Sequence, residues 1–341
     1  MHNLLGVGAR AFVLCSLACG SGQAGKPGVL DPAVIGAQPA PRLKDGGFSA
    51  PTFSVFIAAR DGAGVYGAPA PEDFDVQCEA GPCALVSARR IAGSKEGVLA
   101  VVVDDSFSNI AMPSVCTGCP TDPQGKRVVA VKRLFRVLLD RAPKWRIGLF
   151  DFGPVSTPTF RSTRFIAGYT SRIEDLEQGA DLLKAGGGTF LYDALYAVPA
   201  TAIGERHFSF PDAGGPVPVR VLVVSDGEDT HSTASLAAGL DAGISQGVPF
   251  DAVGFGQIDG GSTPYLAPKA YNDLRTCASA TGGLVTLVSS DALPALFEQL
   301  AEIYVAGYVE LVVQIPAVGT PLVSGSVGLK GSSTRAAFNF Q

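Results

Sequence analysis

The chain has 341 residues, with 26 Lys and Arg against 31 Asp and Glu for a formal net charge of −5, and 47% apolar against 17% charged residues. That balance builds a large buried core, which excludes general disorder, and its slight negative charge offers no footprint for a polyphosphate, which argues against nucleic acid as a partner. The 42 Gly and 24 Pro stay below the share that marks low complexity and read as turns in an ordered chain of about two domains.

Residues 1–19 place Arg10 before a short apolar run, Ala11 to Ala18, followed by Cys19-Gly20-Ser21-Gly22. The run is too short to span a bilayer. It resembles a bacterial lipoprotein signal, in which the Cys after a small residue becomes the lipidated N-terminus. That resemblance implies lipidation of Cys19, export, and a lipid anchor in the membrane of the bacterial cell envelope. It departs from the pattern at Ser16, where Leu is usual. A plain secretory signal cleaved nearby is the alternative, and either version exports the protein. Residues 20–46, rich in Gly, Pro, Ala and Gln, read as a flexible tether. No later segment reaches about 18 consecutive apolar residues, so no other membrane span is expected.

Residues 47–95 follow as a β region: Phe53 to Ile57, then Phe74 to Val86, read as short strands with turns. Cys78 and Cys83 flank Glu79-Ala80-Gly81-Pro82, a turn sequence, so a bridge between them would pin a hairpin. In an exported protein disulfides are favoured over thiols and metal thiolates. Cys116 and Cys119 admit three readings: zinc ligation with the first pair, a redox dithiol, or a local loop staple. The loop that holds them is bracketed by Pro113, Pro120 and Pro123, whereas a thioredoxin-like pair opens a helix after a strand, so the staple is preferred. Cys277 reads as a buried small hydrophobe in a helix.

From residue 96 to 307 apolar runs alternate with helical patterns, which predicts a doubly wound, mostly parallel α/β sheet flanked by helices. The buried strands are Val98 to Val103, Arg146 to Phe152, Val219 to Val224, Pro249 to Phe255 and Gly283 to Val288. Between them, Val128, Val131, Phe135, Leu138 and Ala142 recur at helical spacing, with Lys132, Arg133, Arg136 and Asp140 on a solvated face. Further helices are expected at 173–183, from about Thr189, through Leu236 to Ile244, at 271–280 and at 292–306. His207 is expected in a connecting loop. Residues 308–341 form a C-terminal β extension, able to join the 47–95 region as one module.

The first buried strand ends in Asp104-Asp105-Ser106-Phe107-Ser108, Gly186-Gly187-Gly188 delivers Thr189 at a helix start, and the third strand ends in Ser225-Asp226-Gly227. In a doubly wound sheet these strand ends share one edge, where ligands bind. Asp104, Ser106, Ser108, Thr189 and Asp226 supply two carboxylates and three hydroxyls, an all-oxygen set suited to Mg²⁺ or Mn²⁺. Asp104, Ser106 and Ser108 are two apart, so in extended chain they point the same way. Taken alone, Asp104 reads as a loop-capping carboxylate.

Together the segments are similar to the von Willebrand factor A (VWA) domain. They are Asp-x-Ser-x-Ser after an apolar strand, Gly-Gly-Thr-x-Leu-x-x-Ala-Leu from Gly187 to Leu195, and Val-Ser-Asp-Gly-Glu-Asp from Val224 to Asp229, in that order. The resemblance covers residues 96–307 and implies a VWA fold with a metal-ion-dependent adhesion site on the five residues above. The stretch Val55 to Val86 resembles, more loosely, the β region that precedes this domain in many bacterial members. The family implies protein binding rather than catalysis, with an acidic side chain of the partner filling an open position on the ion. The chain departs from the pattern at Phe107, where Gly is usual, and at Asn109, where Met is usual. Neither is a metal ligand, and Phe107 and the insertion 111–124 are placed to shield the ion or add an apolar contact. The expected function is therefore a metal-dependent adhesion or assembly module rather than an enzyme. Two alternatives stand beside it: a metal-free structural scaffold, and a metal-assisted hydrolase with His231 as its base. The second lacks any Gly-x-Ser-x-Gly nucleophile motif.

Overall fold

In a computed structural model of the chain the described residues are 31–39, 52–60, 66–67, 71–78, 83–110, 119–152, 163–212, 216–256, 268–314, 323–330 and 335–340. The chain forms two compact units, one from residues 1–91 with 309–341 and one from 92–308. Cys19, Cys116 and most of the segment 20–46 fall outside the described residues.

The first unit is all β. Its strands are β1 (Asp31–Pro39), β2 (Thr52–Arg60), β3 (Tyr66–Gly67), β4 (Phe74–Cys78) and β5 (Ala84–Ala92), with β12 (Gly307–Gln314), β13 (Val323–Leu329) and β14 (Arg335–Phe340) from the other end of the chain. One sheet runs β1-β2-β12-β5 with β3 on β2, and a second runs β14-β13-β4. Val309, Leu311 and Val313 sit two apart on β12, so all three turn to one face. There they meet Val55 and Ile57 of β2, Phe74 of β4 and Val327 of β13 in a single core shared by the two sheets.

Two expectations change here. Residues Asp31–Pro39 lie inside the stretch read as a tether, yet they form a strand paired antiparallel to β2, from Asp31 opposite Arg60 to Pro39 opposite Phe53. It is an edge strand, the place where a sheet tolerates Pro32 and Pro39. Cys78 and Cys83 are joined in a disulfide with Cα atoms 5.8 Å apart. It does not pin a hairpin, because β4 pairs with β13 and β5 lies in the other sheet. Both sulfurs pack against the shared core, so the bridge links the two sheets.

The second unit holds β6 (Glu96–Asp104), β7 (Lys144–Phe152), β8 (Thr163–Thr170), β9 (Val219–Ser225), β10 (Phe250–Gly256) and β11 (Val285–Ser289). Its helices are α1 (Lys126–Arg141), α2 (Ile173–Ala180), α3 (Leu191–Ser209), α4 (Leu236–Gln246), α5 (Pro268–Thr281) and α6 (Leu293–Ala306). The sheet order is β11-β10-β9-β6-β7-β8. All pairs are parallel except β7 with β8. Every residue of β9 and β10 and all but the first of β6 are buried, the mark of a sheet covered on both faces. α1 packs against α2 and α6, and α4 against α3 and α5.

The apolar runs of the sequence do not predict the edge strand β8. Its one-sided burial leaves Phe165 half exposed and breaks the apolar run that marks the central strands. His207 lies in the last turn of α3 rather than in a loop, a position where a basic residue faces the negative helix end. Cys277 is buried and free, and burial pushes its thiol pKa up. Among the described residues no helix is long and apolar enough to cross a membrane.

A buried ion pair ties this unit together at the start of β9 and β10. Arg220 places Nε and Nη2 at 2.7 Å from the two oxygens of Asp251. Asp251 also accepts from the backbone N–H of Leu284 and from the Tyr304 hydroxyl, both at 2.8 Å. With four donors on one carboxylate, removal of that carboxylate strands a buried guanidinium. Asp251→Ala is expected to lower the unfolding free energy by about 3–5 kcal/mol in urea melts. Arg133→Ala, which breaks a half-exposed pair with Glu298, is expected to cost under about 1 kcal/mol. Equal small losses would contradict a structural role for the buried pair.

Candidate metal centre

β6 hydrogen-bonds to β7 on one side and β9 on the other. The chain leaves β6 toward β7 and returns on the opposite side with β9, so the crevice beyond the ends of β6 and β9 is the switch point of the sheet. Val103 lies opposite Val224 in register, which brings Asp104 and Ser225-Asp226 side by side.

Asp104 and Asp226 are buried, at 0% and 6% exposure. Asp104 Oδ1 accepts from the backbone N–H of Ser106 at 2.9 Å, and its Oδ2 accepts from Ser225 Oγ at 2.7 Å. Ser106 Oγ and Ser108 Oγ are 2.8 Å apart, and Ser108 Oγ donates to Asp226 Oδ2 at 2.7 Å. Asp104, Ser106 and Ser108 thus gather at one point with Asp226, though not through extended chain: Phe107–Asn109 form a single 3-10 turn, and that turn brings Ser108 back beside Ser106. Burial and the nearby Asp226 charge hold the Asp104 carboxyl well above the ordinary range. Asp226 is raised by burial too, against the lowering pull of its hydroxyl partners Thr121 and Ser108, of a hydrogen bond with the Asp104 carboxyl and of the Arg127 charge.

Thr189 reaches the same edge through the glycine turn. Gly187 takes φ +76°, open to residues without a Cβ, and a Cβ on Gly188 would collide with the His231 ring. Thr189 is stapled to the loop after β9. Its N–H donates to Thr230 Oγ1 at 3.0 Å, and its carbonyl accepts from the N–H groups of Thr230 and His231 at 2.9 and 3.1 Å. Thr189 Oγ1 stands 3.8 Å from where a Cβ on Gly227 would sit, next to Asp226. Asp229 is occupied elsewhere, accepting from the N–H of Tyr192 at 3.0 Å in the first turn of α3. His231 covers Gly188, contacts Phe190 with ring centroids 5.3 Å apart, and bonds Thr230 at 2.6 Å.

Three residues of this edge carry no ligand or support signal in the sequence. Asn109 is buried and its amide donates to the carbonyls of Asp104 and Ser106 at 3.3 and 3.0 Å, which closes the turn that carries the two serines. Arg127, at the start of α1, is buried between Asp105 at 2.6 Å and Asp122 at 2.9 Å. Asp105 also accepts from the N–H of Lys184 at 2.5 Å, and its carbonyl accepts from Gly186 at 2.7 Å. Arg127 therefore ties the β6 loop and the glycine turn to α1. Thr121 is buried, and its hydroxyl donates to Asp226. Cys119 is disulfide-bonded, which takes it out of the zinc reading. Phe107 and Ile110 are about half exposed beside the site.

The charge balance decides what the site can hold. Arg127 stands against Asp105 and Asp122, whereas Asp104 and Asp226, apart from each other, meet only hydroxyls and backbone N–H groups. Two buried carboxylates this close stay ionised together only with a cation between them; otherwise they must take up a proton. Asp226 Oδ1 is buried and without a hydrogen-bond partner among the described residues. Among those residues no group of three or more His, Cys, Asp or Glu side chains is placed to hold a metal. An unpartnered carboxylate oxygen in an all-oxygen cluster fits a hard dication.

No family model and no curated protein matches the chain. Similar solved structures include the VWA domain of SpRpn10, at 13% identity and TM-score 0.40 over 60% of this chain and 95% of that one. The vWF domain of the type V pili tip protein Mfa5 from Porphyromonas gingivalis aligns at 11% identity and TM-score 0.42, over 62% of this chain and 95% of that one. Proximal thread matrix protein 1 from the mussel byssus, solved with a zinc-occupied MIDAS motif, aligns at 17% identity and TM-score 0.41, over 67% of this chain and 50% of that one. In fold, the chain is similar to von Willebrand factor A domains.

Proposed function

We propose that the second unit is a divalent-metal-dependent protein-binding module that acts in adhesion or assembly, on a protein exported to the cell envelope and anchored there through a lipid on Cys19. The observation that carries the reading is the buried Asp104–Asp226 pair with its unpartnered Asp226 Oδ1. Asp104, Ser106, Ser108, Thr189 and Asp226 would hold Mg²⁺ or Mn²⁺. When bound, that ion supplies an uncompensated positive charge, since hydroxyl donors neutralise it less than carboxylates do, and an acidic side chain of the partner is drawn to it. The chain's own part is positional. Asn109 fixes the serine turn, Arg127 fixes the loops behind it, and the glycine turn presents Thr189. His231 has no carboxylate to orient it among the hydrogen bonds above, and its packing over Gly188 serves the turn, so a binding role is preferred to hydrolysis. A metal-free scaffold is the second reading, favoured by the fact that both Asp104 oxygens and Asp226 Oδ2 already accept protein hydrogen bonds.

Isothermal titration of Mg²⁺ and Mn²⁺ into the chelator-stripped protein is expected to give saturable one-to-one binding that Asp226→Ala abolishes. No binding by the unaltered protein would support the scaffold.

The carboxyl shifts add a pH signature. A carboxyl whose folded pKa is raised favours the folded state below its unfolded pKa and loses that contribution as pH climbs through the folded value. The stripped protein is therefore expected to lose stability between acid and neutral pH, Mg²⁺ is expected to restore it near pH 7, and Asp226→Asn is expected to flatten the profile. Melting temperatures across that range check the sign, and a metal effect as large at pH 4 as at pH 7 would contradict it.

A further inference from the structure

We infer that Thr121 is an additional oxygen donor of the metal centre, supplied by the loop that follows Cys119. The inference rests on the metal-binding reading of the site and adds to it a residue from outside the three motifs. Thr121 is 5% exposed, and its hydroxyl donates to Asp226 Oδ2, the same oxygen that Ser108 Oγ reaches. A hydroxyl has one proton and two lone pairs. With the proton committed to the carboxylate, the Thr121 oxygen keeps lone pairs for a cation, the same chemical relation to Asp226 that Ser108 has.

The loop is pinned in this position independently of the hydroxyl. The Thr121 N–H donates to the Ser108 carbonyl at 3.1 Å, and the Asp122 N–H donates to the Asn109 carbonyl at 3.2 Å. On the far side Ser290 Oγ donates to the Thr121 carbonyl. Asp122 is held by Arg127 at 2.9 Å and caps α1 through the Lys126 N–H at 2.6 Å. Cys119, two residues upstream, is fixed by a disulfide. Residues 121–122 therefore run alongside 108–109, with a hydroxyl delivered at the carboxylate by a backbone that does not have to reorganise. Preorganised donors raise affinity by cutting the ordering cost of binding.

The test is isothermal titration of Mn²⁺ into the chelator-stripped full chain, comparing the unaltered protein with Thr121→Val and Thr121→Ser. Circular dichroism of the stripped proteins checks that each is folded. Thr121→Val keeps the shape without the hydroxyl and is expected to weaken Mn²⁺ binding about tenfold, as loss of one site partner does. Thr121→Ser restores the hydroxyl and is expected to stay within about threefold of the unaltered protein. Should the Val variant not fold, Thr121→Ala takes its place. Unchanged affinity in the hydroxyl-free variant would overturn the inference while leaving the metal site standing. Tighter binding would overturn it too, since it would make Thr121 a competitor for Asp226. No binding by the unaltered protein would overturn both readings together.

Discussion

Two carboxylates, Asp104 and Asp226, are held out of water at the ends of adjacent parallel strands, with no cationic side chain hydrogen-bonded to either. In a low-dielectric interior such a pair is unstable in its doubly ionised form, and desolvation and mutual repulsion together push Asp104 toward the protonated state. Most of the local architecture serves to keep the pair in place despite that cost. Parallel pairing of β6 with β9 sets the carboxylates side by side, Asn109 closes the turn behind Asp104, and Ser225 and Ser108 hold one oxygen of each. On the reading proposed above, a cation would relieve the repulsion that this ordered frame imposes on the pair.

Nearby charges follow a different rule. Arg127 is as buried as the carboxylates it touches and neutralises Asp105 and Asp122 in a closed network. That network lies one residue along from each site element: Asp105 follows Asp104, and Asp122 follows Thr121. The direct contacts of Arg127 thus go to the scaffold, and its charge reaches Asp226 only without a hydrogen bond. Arg220 and Asp251 play the corresponding structural role at the start of β9 and β10, where they bind β9 and β10 to α6 through Tyr304.

The legibility of the chain follows burial. β6, β9 and β10 are covered on both faces, so their sequences are apolar runs, interrupted in β9 and β10 only by the paired Arg220 and Asp251, and the residues just past their ends are easy to place. That is why the apolar runs alone assign Asp104 and Asp226 to one sheet edge. β8 is an antiparallel edge strand and β1 contains two prolines, so neither carries the periodic signal, and only pairing with β7 and β2 makes them strands. The cysteine bridge is visible in the sequence as a pair, but its link between two sheets depends on partners far along the chain. Arg127 follows Lys126 at the start of a helix whose other basic residues are solvated, so its burial has no local mark. Thr121 sits in a proline-bracketed loop, and only long-range hydrogen bonds to Ser108, Ser290 and Asp226 bring it to the centre.

The most direct measurement of the central claim is a manganese anomalous difference map from crystals of the protein grown with Mn²⁺. A single peak among the side-chain oxygens of Asp104, Ser106, Ser108, Thr189 and Asp226, lost in crystals of Asp226→Ala, is the predicted result. Density for a protonated, hydrogen-bonded Asp104–Asp226 pair with no anomalous peak at this edge, at saturating Mn²⁺ and neutral pH, would contradict it.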